Sequence, residues 1–117
     1  MSGNGYDLEQ RTETFARRCR RFLKRIPRTE SHVEDGRQLI RSSGSIAGNY
    51  IEANEALSKK DFKMRIKISR KEAKESGLWL RLLELAEFPE LDRERNALNQ
   101  ESIELMKIFG AILRKSE

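Results

Sequence analysis

Proline, cysteine and histidine are nearly missing from this 117-residue chain: two prolines, one cysteine and one histidine. Cys19 has no second cysteine to pair with, so an internal disulfide is excluded, and with His32 as the one imidazole the usual zinc sets are excluded too. No segment approaches the ~20 apolar residues that cross a bilayer. The opening MSGNGYDLEQ has no apolar run of the kind a secretory signal carries. A cytoplasmic protein with no metal or cofactor is expected, and no membrane partner.

Few breakers and many helix formers point to helices. Charged residues are 37% of the chain and apolar residues 37%, a balance that suits helices with wet outer faces. The length suits one domain with one modest core. The Gly-, Ser- and Asn-rich residues 1–6 read as a loose tail. The rest, 7–117, reads as a single domain.

Apolar and small residues recur at alternating spacings of three and four, which makes one helical stripe. The first stripe is Leu8, Thr12, Phe15, Cys19, Phe22, Ile26, ended by Pro27. Cys19 lies on it as a small core residue. Thr29 or Ser31 starts a second helix, with the stripe Val33, Gly36, Ile40, Ser43, Ala47, Tyr50, Asn54, Leu57 and with Leu39, Ile46 and Ala53 beside it. His32 falls at its start, in a surface or capping role. Ser58 caps a third helix with the stripe Phe62, Ile66, Ser69, Ala73, Ser76, Leu80, Leu83, which should stop near Phe88, before Pro89. The fourth carries Leu98, Ser102, Leu105, Phe109 and Ile112. Short connections make sequential helices antiparallel neighbours, so the expected fold is all-α, an up-and-down four-helix bundle.

The segment RSSGSIAGNYIEANEA poses a choice, because Gly44 and Gly48 with their serines suggest a phosphate loop. A phosphate loop needs G-x-x-x-x-G-K-[ST] after a strand. Here the spacing is G-x-x-x-G, no lysine follows, and both glycines fall inside an unbroken helical period. Close approach of another helix is the expected reason for them. Helices three and four are apolar over more than one stripe, which suggests self-association.

The net charge of +5 is unevenly spread. Residues 17–28 carry Arg17, Arg18, Arg20, Arg21, Lys24, Arg25 and Arg28 and no acid. Lys59, Lys60, Lys63 and Lys67 open the third helix, while acids gather at Glu84, Glu87, Glu90, Asp92 and Glu94. Such basic clusters suit phosphate backbones, and no exposed aromatic is interleaved among the arginines to stack single-stranded bases, since Phe22 belongs to the apolar stripe. Glu72 and Glu75 share a helix line with Ile68, Trp79 and Leu82. Paired carboxylates do acid–base work or hold metals in some bundles, but the di-metal pattern needs E-x-x-H on two helices. A structural network with Arg41, Asn49 or Lys71 on a subunit-contact side is expected instead, with Glu52 in the same setting.

The stretch SGSIAGNYIEANEALSKKDFKMRIKISRKEAKESGLWLRLL closely resembles the signature of the bacterial four-helix-bundle proteins encoded in intervening sequences of 23S ribosomal RNA genes. Ser43, Asn49, Glu52, Ala56, Ser58, Asp61 and Phe62 match the first part. Ser69, Lys71, Glu72, Ala73, Glu75, Ser76, Trp79 and Leu80 match the second. The resemblance implies a bundle that assembles into a ring, typically a homopentamer. A related branch, the accessory variability protein of diversity-generating retroelements, is a basic pentamer that binds nucleic acid and a reverse transcriptase. The chain departs from the pattern with Ala53 where a glycine is common and Gly77-Leu78 where an aromatic precedes the Trp. The expected function is therefore a non-enzymatic, ring-forming bundle that binds RNA or DNA. The alternative is a scaffold that docks an acidic protein partner.

Overall fold

The computed structural model describes residues 4–117, with side chains from residue 8 onward. Four helices account for nearly all of them: α1 (Asn4–Leu23), α2 (Glu30–Asn54), α3 (Lys59–Leu82) and α4 (Pro89–Lys115). Of the tail expected over 1–6, residues 1–3 lie outside the described residues, and Asn4 already belongs to α1.

The helix starts follow local chemistry. Thr29 caps α2, its hydroxyl accepting from the His32 N–H at 3.1 Å. Ser58 caps α3 in the same way, accepting from the Asp61 N–H at 3.0 Å. Pro89 opens α4, at the position where a missing N–H costs nothing.

Contacts run α1–α2, α2–α3, α3–α4 and back from α4 to α1, with no diagonal pair among the described residues, as in an up-and-down antiparallel bundle. The molecule is 47 Å long. Phe15, Phe22, Leu39, Ile46, Ile66, Leu80, Leu98, Leu105 and Phe109 are sealed from solvent along its axis. Tyr50 packs tilted on Phe109, ring centroids 5.7 Å apart.

Two features differ from expectation. In α2 the buried residues include Gly36, Ser43 and Tyr50 of the expected stripe together with Leu39, Ile46 and Ala53 beside it and Ser42, while Ile40, Asn54 and Leu57 of that stripe are exposed. The serines explain the offset: the Ser42 hydroxyl meets that of Ser76 at 2.8 Å, and Ser69 donates to the Ile46 carbonyl at 3.0 Å. Satisfied hydroxyls belong in a core, yet they blur an apolar stripe. The third helix also ends at Leu82, well before Phe88. Arg95 of α4 donates to the Leu80 and Leu83 carbonyls at 3.1 and 2.6 Å, which satisfies the helix end and frees Leu83 and Leu85 to turn into the core.

Candidate nucleic-acid interface and subunit-contact face

The basic residues do not form one patch. Because α1 and α3 run parallel, the C-terminal end of α1 and the N-terminal end of α3 lie at opposite ends of the bundle. Arg17 to Arg28 therefore sit far from Lys59, Lys60, Lys63 and Lys67.

The arginine run is also divided by its own helix. Arg17 pairs with Glu13 one turn back, at 2.9 Å. Arg18 faces α4 and lies 3.7 Å from Glu94. Arg20 leans on α2, donating to the Ile40 carbonyl at 3.3 Å and to Ser43 at 3.4 Å. Arg21, Lys24, Arg25 and Arg28 are exposed and have no acidic partner among the described residues. The acids that looked remote in sequence come to this same end, since the α3–α4 connection lies beside the α1–α2 connection. Arg25 shares a shallow depression with Glu87 and Glu90. Charge separated along the chain is thus partly mixed in space. At the opposite end, Lys59, Lys60, Lys63 and Lys67 have no acidic partner among the described residues, and Lys59, Lys60 and Lys67 are exposed.

Where α2 and α3 meet on the outside, Arg41 reaches Glu72 at 3.5 Å and Glu75 at 3.7 Å. The Glu72 side chain is only 8% exposed. This is the expected network, built with Arg41. Asn49 takes another part, accepting from Arg65 at 3.0 Å and donating to the Ser45 carbonyl at 2.9 Å. Lys71 stays exposed, and so does Glu52. Arg65, Glu72 and Trp79 are seven residues apart and so share one line of α3. Each keeps a buried polar atom without a hydrogen-bond partner among the described residues: Arg65 Nε, Glu72 Oε1 and Trp79 Nε1. Met64 and Leu82, on the outer side of the same helix, are 46% and 48% exposed.

The glycines of the G-x-x-x-G segment do not bring α2 against another helix of the same subunit. A methyl at Gly48 would meet nothing within 4 Å, and one at Gly44 would meet only Arg20 Nη2 at 3.2 Å. The glycine at a close approach is Gly77, where a Cβ would lie 2.9 Å from Ser102 Oγ and 3.1 Å from Asn99 Oδ1 of α4.

Two residues gain roles that the sequence did not reveal. His32 is buried and joins two connections: its Nε2 accepts from the Glu84 N–H at 3.3 Å, and its Nδ1 meets the Pro27 carbonyl at 2.8 Å. With Nε2 accepting, Nδ1 is the nitrogen that donates to the Pro27 carbonyl. Arg11 grips Glu101 through two bonds, 2.7 and 2.8 Å, and Glu104 through a third, 2.7 Å. Those hydrogen bonds, led by Glu101, raise the guanidinium pKa above its ordinary value despite burial. Burial pushes the Cys19 thiol up to about 12, so it is an inert core group. No cluster of potential metal ligands occurs among the described residues, and no described helix is long and apolar enough to cross a membrane.

The family model of the 23S rRNA-intervening sequence protein matches residues 6–111. The chain belongs to that family. The match takes in all four helices, including α1 and most of α4, where sequence motifs were weakest. A solved structure from Bacteroides thetaiotaomicron, described as a protein of unknown function from the S23 ribosomal protein family, is similar with a TM-score of 0.79 and 27% identity. The likeness covers 94% of this chain and 97% of that one. No curated protein matches the chain.

Proposed function

We propose that this chain is a non-enzymatic, ring-forming homo-oligomer, five copies in the form the family resemblance implies, that binds nucleic acid through its arginine- and lysine-rich surface. The observation that carries the binding reading is the set of exposed cations left without acidic partners, Arg21, Lys24, Arg25 and Arg28 at one end and Lys59, Lys60 and Lys67 at the other. Unpaired cations on rigid helices suit phosphates, and copies in a ring multiply weak contacts.

The ring is supported by the outer α2–α3 face. Exposed Met64 and Leu82, with the open space over Gly48, fit a face that a second copy covers.

A second reading, a scaffold docking an acidic protein, is favoured by the mixing of charge around Arg25, Glu87 and Glu90, which suits a protein surface better than a phosphate backbone. An anisotropy titration of the assembled protein against duplex and single-stranded RNA and DNA, across a range of salt, separates the two. Nucleic-acid binding predicts affinity whose logarithm falls steeply with log salt. The scaffold predicts no binding even at low salt.

A further inference from the structure

We infer that the outer face shared by α3 and α4 is the phosphate-tracking surface, and that Arg70 and Arg114 converge there as a clamp for the backbone of a nucleic-acid duplex. The inference rests on the nucleic-acid reading above but moves its centre away from the arginine run of α1.

The two helix segments that form this face hold few carboxylates. Between Lys67 and Arg81 of α3 and between Asn96 and Arg114 of α4 there are only Glu72, Glu75, Glu101 and Glu104. Arg41 of α2 lies against the first two, and Arg11 of α1 holds the last two. Every acid of these two segments is therefore turned toward another helix. The cations are not. Lys67, Arg70, Lys74, Lys107 and Arg114 are exposed, with no acidic partner among the described residues. The lysines and arginine of α3 recur at three and four residues, which places them on one side of the helix. From Lys67 to Arg81 the row extends ~21 Å along a straight rod.

Gly110 shows where the two helices' charges meet. A methyl on its Cα would lie 3.5 Å from Nη1 of Arg114 and 4.0 Å from Nη1 of Arg70. Two guanidinium groups from different helices thus lean over the same bare turn of α4 with no carboxylate between them. Like charges brought together repel, and an anion that accepts from both turns that repulsion into two charge-assisted hydrogen bonds. Arginine forks suit phosphate oxygens in particular.

The duplex is favoured over a single strand by what the face lacks. Its uncharged residues include Leu78, Asn99, Ile103 and Met106. Phe109 and Tyr50 are buried in the core, and Trp79 lies on the α2 side. Single-strand binders use aromatic rings to stack bases. A row of cations fixed on two packed helices offers backbone contacts alone, which position a duplex without reading its sequence.

The test is a salt-dependent anisotropy titration of the full-length assembled protein with a labelled duplex, comparing wild type with Arg70→Ala, Arg114→Ala and the double Arg70→Glu/Arg114→Glu. Circular dichroism and mass confirm that each variant folds and assembles. Each alanine variant is expected to weaken binding equally for unrelated sequences and to lower the slope of log affinity against log salt by about 0.9. The double reversal is expected to weaken binding tenfold or more at low salt. If wild type binds duplex and affinity falls only with Arg21→Ala and Lys24→Ala, the nucleic-acid reading stands and this face is not the site. A single strand bound more tightly than the duplex also overturns the inference. An acidic peptide that binds in an Arg70-dependent way, with no nucleic acid bound, overturns both readings.

Discussion

Helix α3 carries two unlike outer sides. Toward α2 it presents Glu72, Glu75 and Trp79, with Arg41 over the two acids and buried polar atoms left without partners. Toward α4 it presents Lys67, Arg70 and Lys74, with every nearby acid turned away. The first side holds polarity that is desolvated and incompletely satisfied, which suits contact with another protein surface. The second holds charge that is fully solvated and unpaired, which suits a polyanion. Both sides share one buried middle, Ile66, Ala73 and Leu80. One stretch of sequence therefore writes a core line, a half-buried acidic line and a charged face in the same 3.6-residue period.

The sharpest way to separate the sides is to charge the first one. Ile68→Glu with Leu82→Glu leaves the sealed core untouched, since Ile68 is half-buried and Leu82 is 48% exposed. The proposed ring is expected to fall to the 13.7 kDa monomer in light scattering, with helical content kept. An unchanged mass removes the α2–α3 face from the assembly.

Next in size is the seam between α3 and α4. Gly77→Ala places a methyl 2.9 Å from Ser102 Oγ, so the seam that supports the cationic face must open. The expected loss is about 1–3 kcal/mol in urea unfolding, a typical cost of overpacking. Gly48→Ala is the counterpart on the other side. Nothing in the subunit meets that methyl, so the isolated subunit gains up to about 1 kcal/mol from helix propensity. A weaker assembly despite a more stable subunit is the expected pattern if the proposed neighbour fills the open space over Gly48.

The last comparison concerns the shared interior. Cys19 keeps its proton in the folded state up to about 12, against an ordinary value of 9.0. The unfolded chain loses that proton first, so the stability from Cys19 is fully present below pH 9 and lost as pH rises toward 12. The slope is of order 1 kcal/mol per pH unit. Denaturation midpoints measured from pH 8 to 11 should fall less steeply in Cys19→Ala than in wild type.

Much of this was legible in the chain. The stripes of α1, α3 and α4 are buried as read except at their ends, where Ile26, Phe62 and Ile112 are half-buried, and the caps Thr29 and Ser58 stand where expected. A basic or amide partner for Glu72 and Glu75 was legible as a choice among Arg41, Asn49 and Lys71, and it is Arg41 that lies against both acids. The core line of α2 was harder to read, because Ser42 is buried through a hydroxyl bond to Ser76 that no apolar pattern marks. The charge map was least legible. Arg11 and Glu101 are 90 residues apart, and Arg18 meets Glu94 only after the chain has turned three times. Sequence density alone therefore put the basic surface on the arginine run, whereas pairing in space leaves α3–α4 the side without acids.

The most direct measurement follows mass and duplex binding together, by sedimentation velocity of a labelled duplex mixed with Ile68→Glu/Leu82→Glu or with Arg70→Glu/Arg114→Glu. The account predicts that the first variant sediments as a monomer, and that the second sediments as an intact ring with the duplex left behind. The opposite pairing, a dissociated ring from the arginine variant and an intact one from the Ile68 and Leu82 variant, would contradict the assignment of the two sides of α3.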